Sequence, residues 1–183
     1  VLLLAGVTLN SLFSAIIMFV QYLAEPTQTF QAVRYLMGNL NVSGYSPLLW
    51  SLPLLIVASC AFAWLPRSLN LLSVSTESAA TRGVDVTKTQ RIAFLSASLA
   101  TGAAVSLGGP IGFVGIVVPH MVRLMVGADH RVVLPASAFM GAAFLVICDV
   151  AARTLMAPQE LPVGVITAML GGPFFLWLLV RKV

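Results

Sequence analysis

The sequence predicts an all-α fold: a polytopic membrane helix bundle of six spans, with one short helix at the surface and another in a polar loop. Three observations carry that prediction. The 183 residues are 59% hydrophobic and 9% charged, with a mean hydropathy of +0.99, whereas about a quarter of the residues of a water-soluble domain are charged. Charges, prolines and glycines cut the chain into six apolar runs near the ~20 residues that cross a bilayer as a helix. The basic residues gather in alternate loops, as they do on the cytoplasmic side of a multi-span protein.

The first run, Val1 to Ala24, has no charge. On it Gly6, Asn10, Ser14 and Gln21 fall within about 80° of one another at 100° per residue. Such a small and polar stripe fits helix packing, because small residues let helices approach and polar ones bond across; it equally fits the wall of a polar path. "EPTQTFQAVRYLMGN" follows. Thr27 or Thr29 can cap a helix ending near Gly38. Phe30, Val33 and Met37 share one face, so this helix lies at the surface and does not cross. The second run spans roughly Pro47 to Leu65. The third spans about Arg91 to Leu107, with its helix able to start at Thr87.

"LGGPIG" then supplies turn chemistry, and Pro110 suits the first turn of the fourth run, Pro110 to Val126. That run is about 25 Å long at 1.5 Å per residue, and Pro119 can kink it. The fifth run is Val133 to Met156, with Asp129 of "GADHR" as a candidate cap. Asp149 and Arg153 stand four residues apart on it and can pair. Counted from Val133, Asp149 lies about 24 Å along the helix. Charges inside a membrane are costly and mark either function or a pair that pins neighbouring helices. Asp149 fits the pinning pair; Arg153, near the outer interface, fits contact with an acidic partner. The sixth run, Pro162 to Val180, carries a small stripe of Gly164, Thr167 or Ala168, and Gly171. Gly171-Gly172-Pro173 is expected to interrupt it, and interrupted membrane helices occur where backbone meets protein or a water-filled cavity.

Six spans put both ends on one side. If that side is the cytoplasm, eight basic residues are inside (Arg67, Arg82, Lys88, Arg91, Arg123, Arg131, Arg181 and Lys182) and two, Arg34 and Arg153, are outside. The net charge of +4 thus reports topology; no clustered basic face points to nucleic acid. Cys60 and Cys148 sit in oily runs as small packing residues. His120 and His130 lack metal-binding partners at the right spacing and read as structural. There is no nucleophile elbow, phosphate-binding glycine loop or Cys/His cluster, so no enzyme site, bound metal or cofactor is expected. The chain opens on "VLLLAG" without an initiator Met or charged n-region. That does not fit a signal peptide and predicts a further N-terminal portion.

The longest inside loop is "PRSLNLLSVSTESAATRGVDVTKTQRI". Ser73, Ser75 or Thr76 can cap a short helix, Glu77 falls in its first turn where the helix dipole favours an acid, and Gly83 suits its end. Thr87 can cap the helix that enters the membrane. The resulting surface, Ser78, Ala79, Ala80, Thr81 and Arg82, is small and lightly charged. It fits a knob that docks in a cleft, and equally a solvated connector.

This loop resembles the coupling loop of ABC importer permeases, with the pattern E-A-A-x-x-x-G: here Glu77-Ser78-Ala79-Ala80-Thr81-Arg82-Gly83, with Ser78 departing at the first Ala. "LLLAGVTLNSLFSA", "LNLLSVSTESAATRGVDV", "GGPIGFVGIVVPHMVRLMVGADHRVVLP", "DVAAR" and "ELPVGVITAMLGGPFFLWLLVRK" are similar, in register, to the FecCD-type permeases that import iron-siderophores, haem or vitamin B12. The resemblance implies one permease domain over residues 1–183, the last six helices of a ten-helix subunit. It sits in the cytoplasmic (inner) membrane with a short periplasmic helix and a cytoplasmic coupling helix. It implies that Glu77 to Val84 contact ATP-binding cassette subunits, which hold ATP and Mg and perform the hydrolysis. Gly6, Asn10, Ser14, Gly164, Thr167 and Gly171 would then line a path shared with a second permease subunit. Arg153 would meet a periplasmic binding protein, and Arg34 would fall in the gate region. Two other classes remain. A secondary transporter or channel would want ionisable groups at mid-membrane, where only Asp149 comes close; a membrane scaffold leaves the loop helix unexplained.

Overall fold

The computed structural model describes residues 2–42, 44–156 and 159–181; Val1 of the first run and Lys182 of the inside charge count lie outside them. Among the described residues every regular element is a helix: α1 (Leu2–Leu23), α2 (Pro26–Leu36), α3 (Ser46–Trp64), α4 (Pro66–Leu72), α5 (Thr76–Thr81), α6 (Val86–Gly108), α7 (Val114–Val126), α8 (His130–Thr154) and α9 (Val163–Arg181). Two compact units result, Val1–Leu36 and Met37–Val183. Among the described residues four helices are long and apolar enough to cross a membrane: α1 over Leu3–Leu23, α3, α6 and α8. The apolar stretches Val114–Val126 and Val163–Leu178 are shorter than that and fall within the fourth and sixth expected runs.

In the first unit α1 has 22 residues, about 33 Å, and no residue of its apolar window is buried. Helix α2 begins at Pro26, so Thr27 and Thr29 lie inside it and neither caps it. Proline is suited to a first turn because its missing N–H would have no partner there. The expected end holds: α2 stops at Leu36 and Gly38 has φ 75°.

In the second unit α3 packs chiefly on α6, and α8 on both α7 and α9. Two small clusters form the core. Cys148 and Ala152 of α8 meet Val163 and Ile166 of α9; Val118 and Val122 of α7 meet Val133 of α8. The i, i+3 and i, i+4 spacings put each set on one helix face. Large apolar side chains point outward, among them Phe139 and Trp50 at 80% exposure. Small residues inside and large ones outside is the arrangement of helices that pack by close approach in lipid.

Several features differ from the sequence expectations. Helix α7 starts at Val114 and not at Pro110, because Gly109 (φ 69°) and Phe113 (φ 66°) both take left-handed backbone. Its 13 residues reach about 20 Å. Helix α9 runs unbroken through Gly171-Gly172-Pro173; Pro173 removes one backbone donor without ending the helix. Helix α4 was not anticipated, although Pro66 at its first position is a start signal.

The ends of α6 and α8 sort the loops of this unit. At the C-terminal end of α6, Gly108 O accepts from Asn39 N at 2.8 Å, and near the C-terminal end of α8, Ala152 O accepts from Leu161 N at 3.1 Å. Segments 37–42, 108–113 and 159–162 therefore share one end. Helices α4 and α5 and the turn before α8 share the other. The 25 residues of α8 separate the two ends by about 37 Å.

Candidate functional site

Helix α5 is short but held at both ends. Ser75 is its cap among the three candidates: it is extended, and its Oγ accepts from Ser78 N at 2.9 Å. Glu77 occupies the first turn. At the other end Gly83 has φ 79°. Gly83 N donates to Ala80 O and Val84 N to Ala79 O, both at 3.0 Å. Those two bonds are the paired closure of a helix by a left-handed glycine. Ala79 is fully buried and anchors the helix; Ser78 and Val84 are half-buried; Glu77, Ala80, Thr81 and Arg82 are exposed. The next helix is capped by Asp85, whose carboxylate accepts from Lys88 N at 2.9 Å, and not by Thr87. The result is a rigid polar knob whose shape is fixed by backbone bonds.

A second contact clamps this region to α8. Asn70 of α4 donates from Nδ2 to Asp129 Oδ1 at 2.6 Å. Asn70 Oδ1 accepts from His130 N at 2.8 Å and lies 2.7 Å from His130 Nδ1, a bond in which the Nδ1–H tautomer donates. Asp129 also accepts from Arg131 N at 2.9 Å and caps α8 as expected. The bond from Arg131 N, then that from Asn70, holds the Asp129 carboxyl below the usual carboxylate value. His130 is therefore structural, and Asn70 was missed because its partner lies 59 residues away. Asn70→Leu is expected to cost about 1–2 kcal/mol by stranding these groups. A fall in the thermal midpoint of the purified protein checks this, and an unchanged midpoint contradicts it.

The opposite end carries a polar rim. Arg153 Nε donates to Asp149 Oδ2 at 2.8 Å, and one guanidinium nitrogen reaches Asn41 Oδ1 at 3.3 Å. Asn41 Nδ2 donates to Glu160 Oε2 at 3.0 Å. Asp149 and Arg153 thus pair as their spacing implied, and 40% of the Arg153 side chain stays accessible. Arg34 is exposed in the last turn of α2.

The two small stripes differ. Gly6 and Asn10 are exposed on α1 and Ser14 is half-buried; a Cβ at Gly6 would meet nothing within 4 Å. On α9 the stripe packs closely against other segments. A Cβ on Gly164 would strike the Met37 carbonyl, and one on Gly171 would strike the Phe113 side chain. Thr167 is fully buried and donates to Gly164 O at 3.0 Å. Gly164 and Gly171 thus approach other segments of their own chain closely, and Thr167 is enclosed by it. His120 packs edge-on to Phe174. Cys148 is buried as expected, but Cys60 is exposed. Among the described residues no three His, Cys, Asp or Glu side chains converge as metal ligands.

The sequence profile of the FecCD transport family matches residues 1–181. The hemin transport system permease protein HmuU of Yersinia pestis is 43% identical over 99% of this chain and 54% of its own length. The cobalamin import system permease protein BtuC of Halobacterium salinarum is 46% identical over 97% of this chain and 47% of its own. The Fe(3+) dicitrate transport system permease protein FecD of Escherichia coli is 40% identical over 97% and 56%. A solved chain in an inward-facing conformation, assigned to the metal-chelate type of ABC transporter, superposes with a TM-score of 0.81 at 34% identity; the match covers 98% of this chain and 58% of that one. The chain spans about half the length of the curated relatives it matches. With the family profile matched over residues 1–181 and its helices superposing on such a transporter, the chain belongs to the FecCD transport family.

Proposed function

We propose that the chain forms the C-terminal six-span part of a permease subunit of an ABC importer. The subunit carries an iron chelate, haem or a cobalamin-type compound from periplasm to cytoplasm. It lies in the cytoplasmic membrane with both ends of this segment inside, and pairs with a second permease subunit. Separate ATP-binding subunits hold ATP and Mg and perform the hydrolysis. The observation that carries this reading is α5: a knob fixed at both ends, in a chain of this family, about 37 Å along α8 from the Arg153 rim. In this reading Glu77 to Val84 seat in the ATPase, and its closure moves the knob. Arg153 receives an acidic group of the periplasmic binding protein. Gly6, Asn10 and Ser14 face the path, and Arg34 belongs to the gate. The test is reconstitution of the full-length subunit with its ATPase and binding protein, followed by uptake of haem, cobalamin and ferric dicitrate. ATP-dependent uptake of one of them supports the reading; a subunit that transports without any ATPase overturns it.

Arg153→Glu sets a carboxylate beside Asp149 and Glu160 and reverses the rim charge. It is expected to weaken docking of the binding protein about tenfold, mostly through slower association and more strongly at low salt. Titration at two ionic strengths checks this, with Arg153→Gln as the milder comparison. Equal affinities for all three proteins would remove Arg153 from the docking face.

A further inference from the structure

At the α4–α5 end of the second unit, the last turns of α3 and the first turns of α8 enclose an apolar groove of about 690 Å3. Phe62, Ala63 and Trp64 form one wall, Leu134, Pro135 and Ala138 the other, and Arg67 and Arg131 stand at its end. The same two arginines line a second cleft of about 820 Å3 with polar walls that include Ser68, Arg82, Asp85 and Thr89. The two spaces adjoin at these arginines and form two arms of a trough: an apolar arm, a waist of two guanidiniums and a more polar arm.

The charge of this trough is unbalanced. Its polar walls carry Arg67, Arg82 and Arg131 against Asp85, and Asp85 is engaged in capping α6. Asp129, whose field reaches Arg131, is held by Asn70 and by a backbone amide. The one salt bridge among the described residues is Arg153–Asp149, so neither waist guanidinium has one. Guanidinium forks match phosphate oxygens. A free phosphate would leave the apolar arm unused, and a neutral acyl chain would leave the arginines unused. Trp64, 87% exposed at the end of α3, belongs at a membrane–water boundary, where an indole keeps its apolar body in lipid and its N–H wet.

We infer that this trough binds one anionic phospholipid. Its phosphodiester sits between Arg67 and Arg131, an acyl chain follows the apolar arm between α3 and α8, and the headgroup enters the polar arm beside Ser68 and Thr89. Basic pockets between helices on the cytoplasmic side are where anionic headgroups are held. The bound lipid braces the junction of α3 and α4 against α8, next to the knob. This inference rests on the proposed orientation, which puts α4 and α5 at the cytoplasmic surface, but its readout is lipid binding and not uptake.

The full-length subunit, purified with its ATPase, is analysed by native mass spectrometry after addition of phosphatidylglycerol or phosphatidylcholine. The wild type is expected to retain phosphatidylglycerol about tenfold over phosphatidylcholine, and Arg67→Gln/Arg131→Gln to lose that preference. A second measurement needs no arginine variant. In a subunit whose tryptophans other than Trp64 are replaced by phenylalanine, chain-brominated phosphatidylglycerol should quench Trp64 more than brominated phosphatidylcholine at equal mole fraction. Equal retention of the two lipids by the wild type, or equal quenching, means the trough holds ordinary boundary lipid or another helix and overturns the inference. Lost lipid preference with intact uptake sinks this inference alone; a retained preference without uptake sinks the transport reading alone.

Discussion

Gly164→Val is expected to abolish recovery of the folded full-length subunit. Gly164 is the second residue of α9, and a Cβ there would strike the Met37 carbonyl oxygen. It would also lie 3.1 Å from the carbonyl carbon and 3.7 Å from the Gly38 Cα. All three atoms are backbone, so no rotamer change relieves the overlap. The obstructing segment is itself pinned. Gly38 has φ 75°, and a Cβ on it would come within 2.9 Å of the Ile111 side chain and 3.3 Å of the Pro110 carbonyl oxygen. Three segments meet here: 37–38, 110–111 and the start of α9. Valine must push α9 outward. That opens the adjoining cluster of Val163 and Ile166 against Cys148 and Ala152 and disturbs the Thr167 bond to Gly164 O. Overpacking a tight contact costs about 1–3 kcal/mol; with a core cluster opened as well, the total reaches about 4 kcal/mol or more. Size-exclusion recovery and a thermal melt of the complex read the effect. Gly102→Val is the comparison, because a Cβ there meets nothing within 4 Å. Equal recovery of the two variants would mean that the seam is not tight.

The same pair of stripes shows where the sequence is legible and where it is not. Gly6, Asn10 and Ser14 on α1, and Gly164, Thr167 and Gly171 on α9, carry the same signature of small and polar residues at helical spacing. Only tertiary distances separate an exposed face from a closed seam. Helices α1 and α3 could be read to within two residues, because their apolar runs end at charge or proline. Asp129 and Gly83 followed from local capping rules, which need no distant partner; at the start of α5 those rules left Ser73, Ser75 and Thr76 open. The start of α7 did not. Pro110 invites a first turn, but Phe113 takes a left-handed backbone that costs a side-chain-bearing residue about 1–2 kcal/mol, and its side chain packs where Gly171 lacks a Cβ. Asn41 and Asn70 are equally silent in sequence, since their partners lie between 59 and 119 residues away.

Gly83→Val is expected to leave the subunit folded and cut uptake per ATP hydrolysed by about tenfold or more, the equivalent of about 1.4 kcal/mol in positioning the knob. A Cβ at Gly83 meets nothing within 4 Å, yet φ is +79°, so the defect comes from backbone conformation and not from a clash. A left-handed backbone costs a side-chain-bearing residue about 1–2 kcal/mol, and β-branching adds to it. Relaxing that strain breaks the bonds from Gly83 N to Ala80 O and from Val84 N to Ala79 O. A helix of six residues has no stability of its own once one end is released. Glu77, Arg82 and Val84 then lose their fixed spacing. The damage stops at Asp85, which caps α6 through Lys88 N independently of Gly83, so the membrane helices keep their packing. Gly83→Asn separates backbone from side chain: asparagine tolerates the left-handed region and should restore most of the coupling, although it adds more polar bulk than alanine. Uptake and ATPase rates in proteoliposomes of the full complex decide the matter. If Gly83→Val transports as well as the wild type, or if Gly83→Asn fails as badly as Gly83→Val, the knob is not held by its glycine end and α5 is a connector.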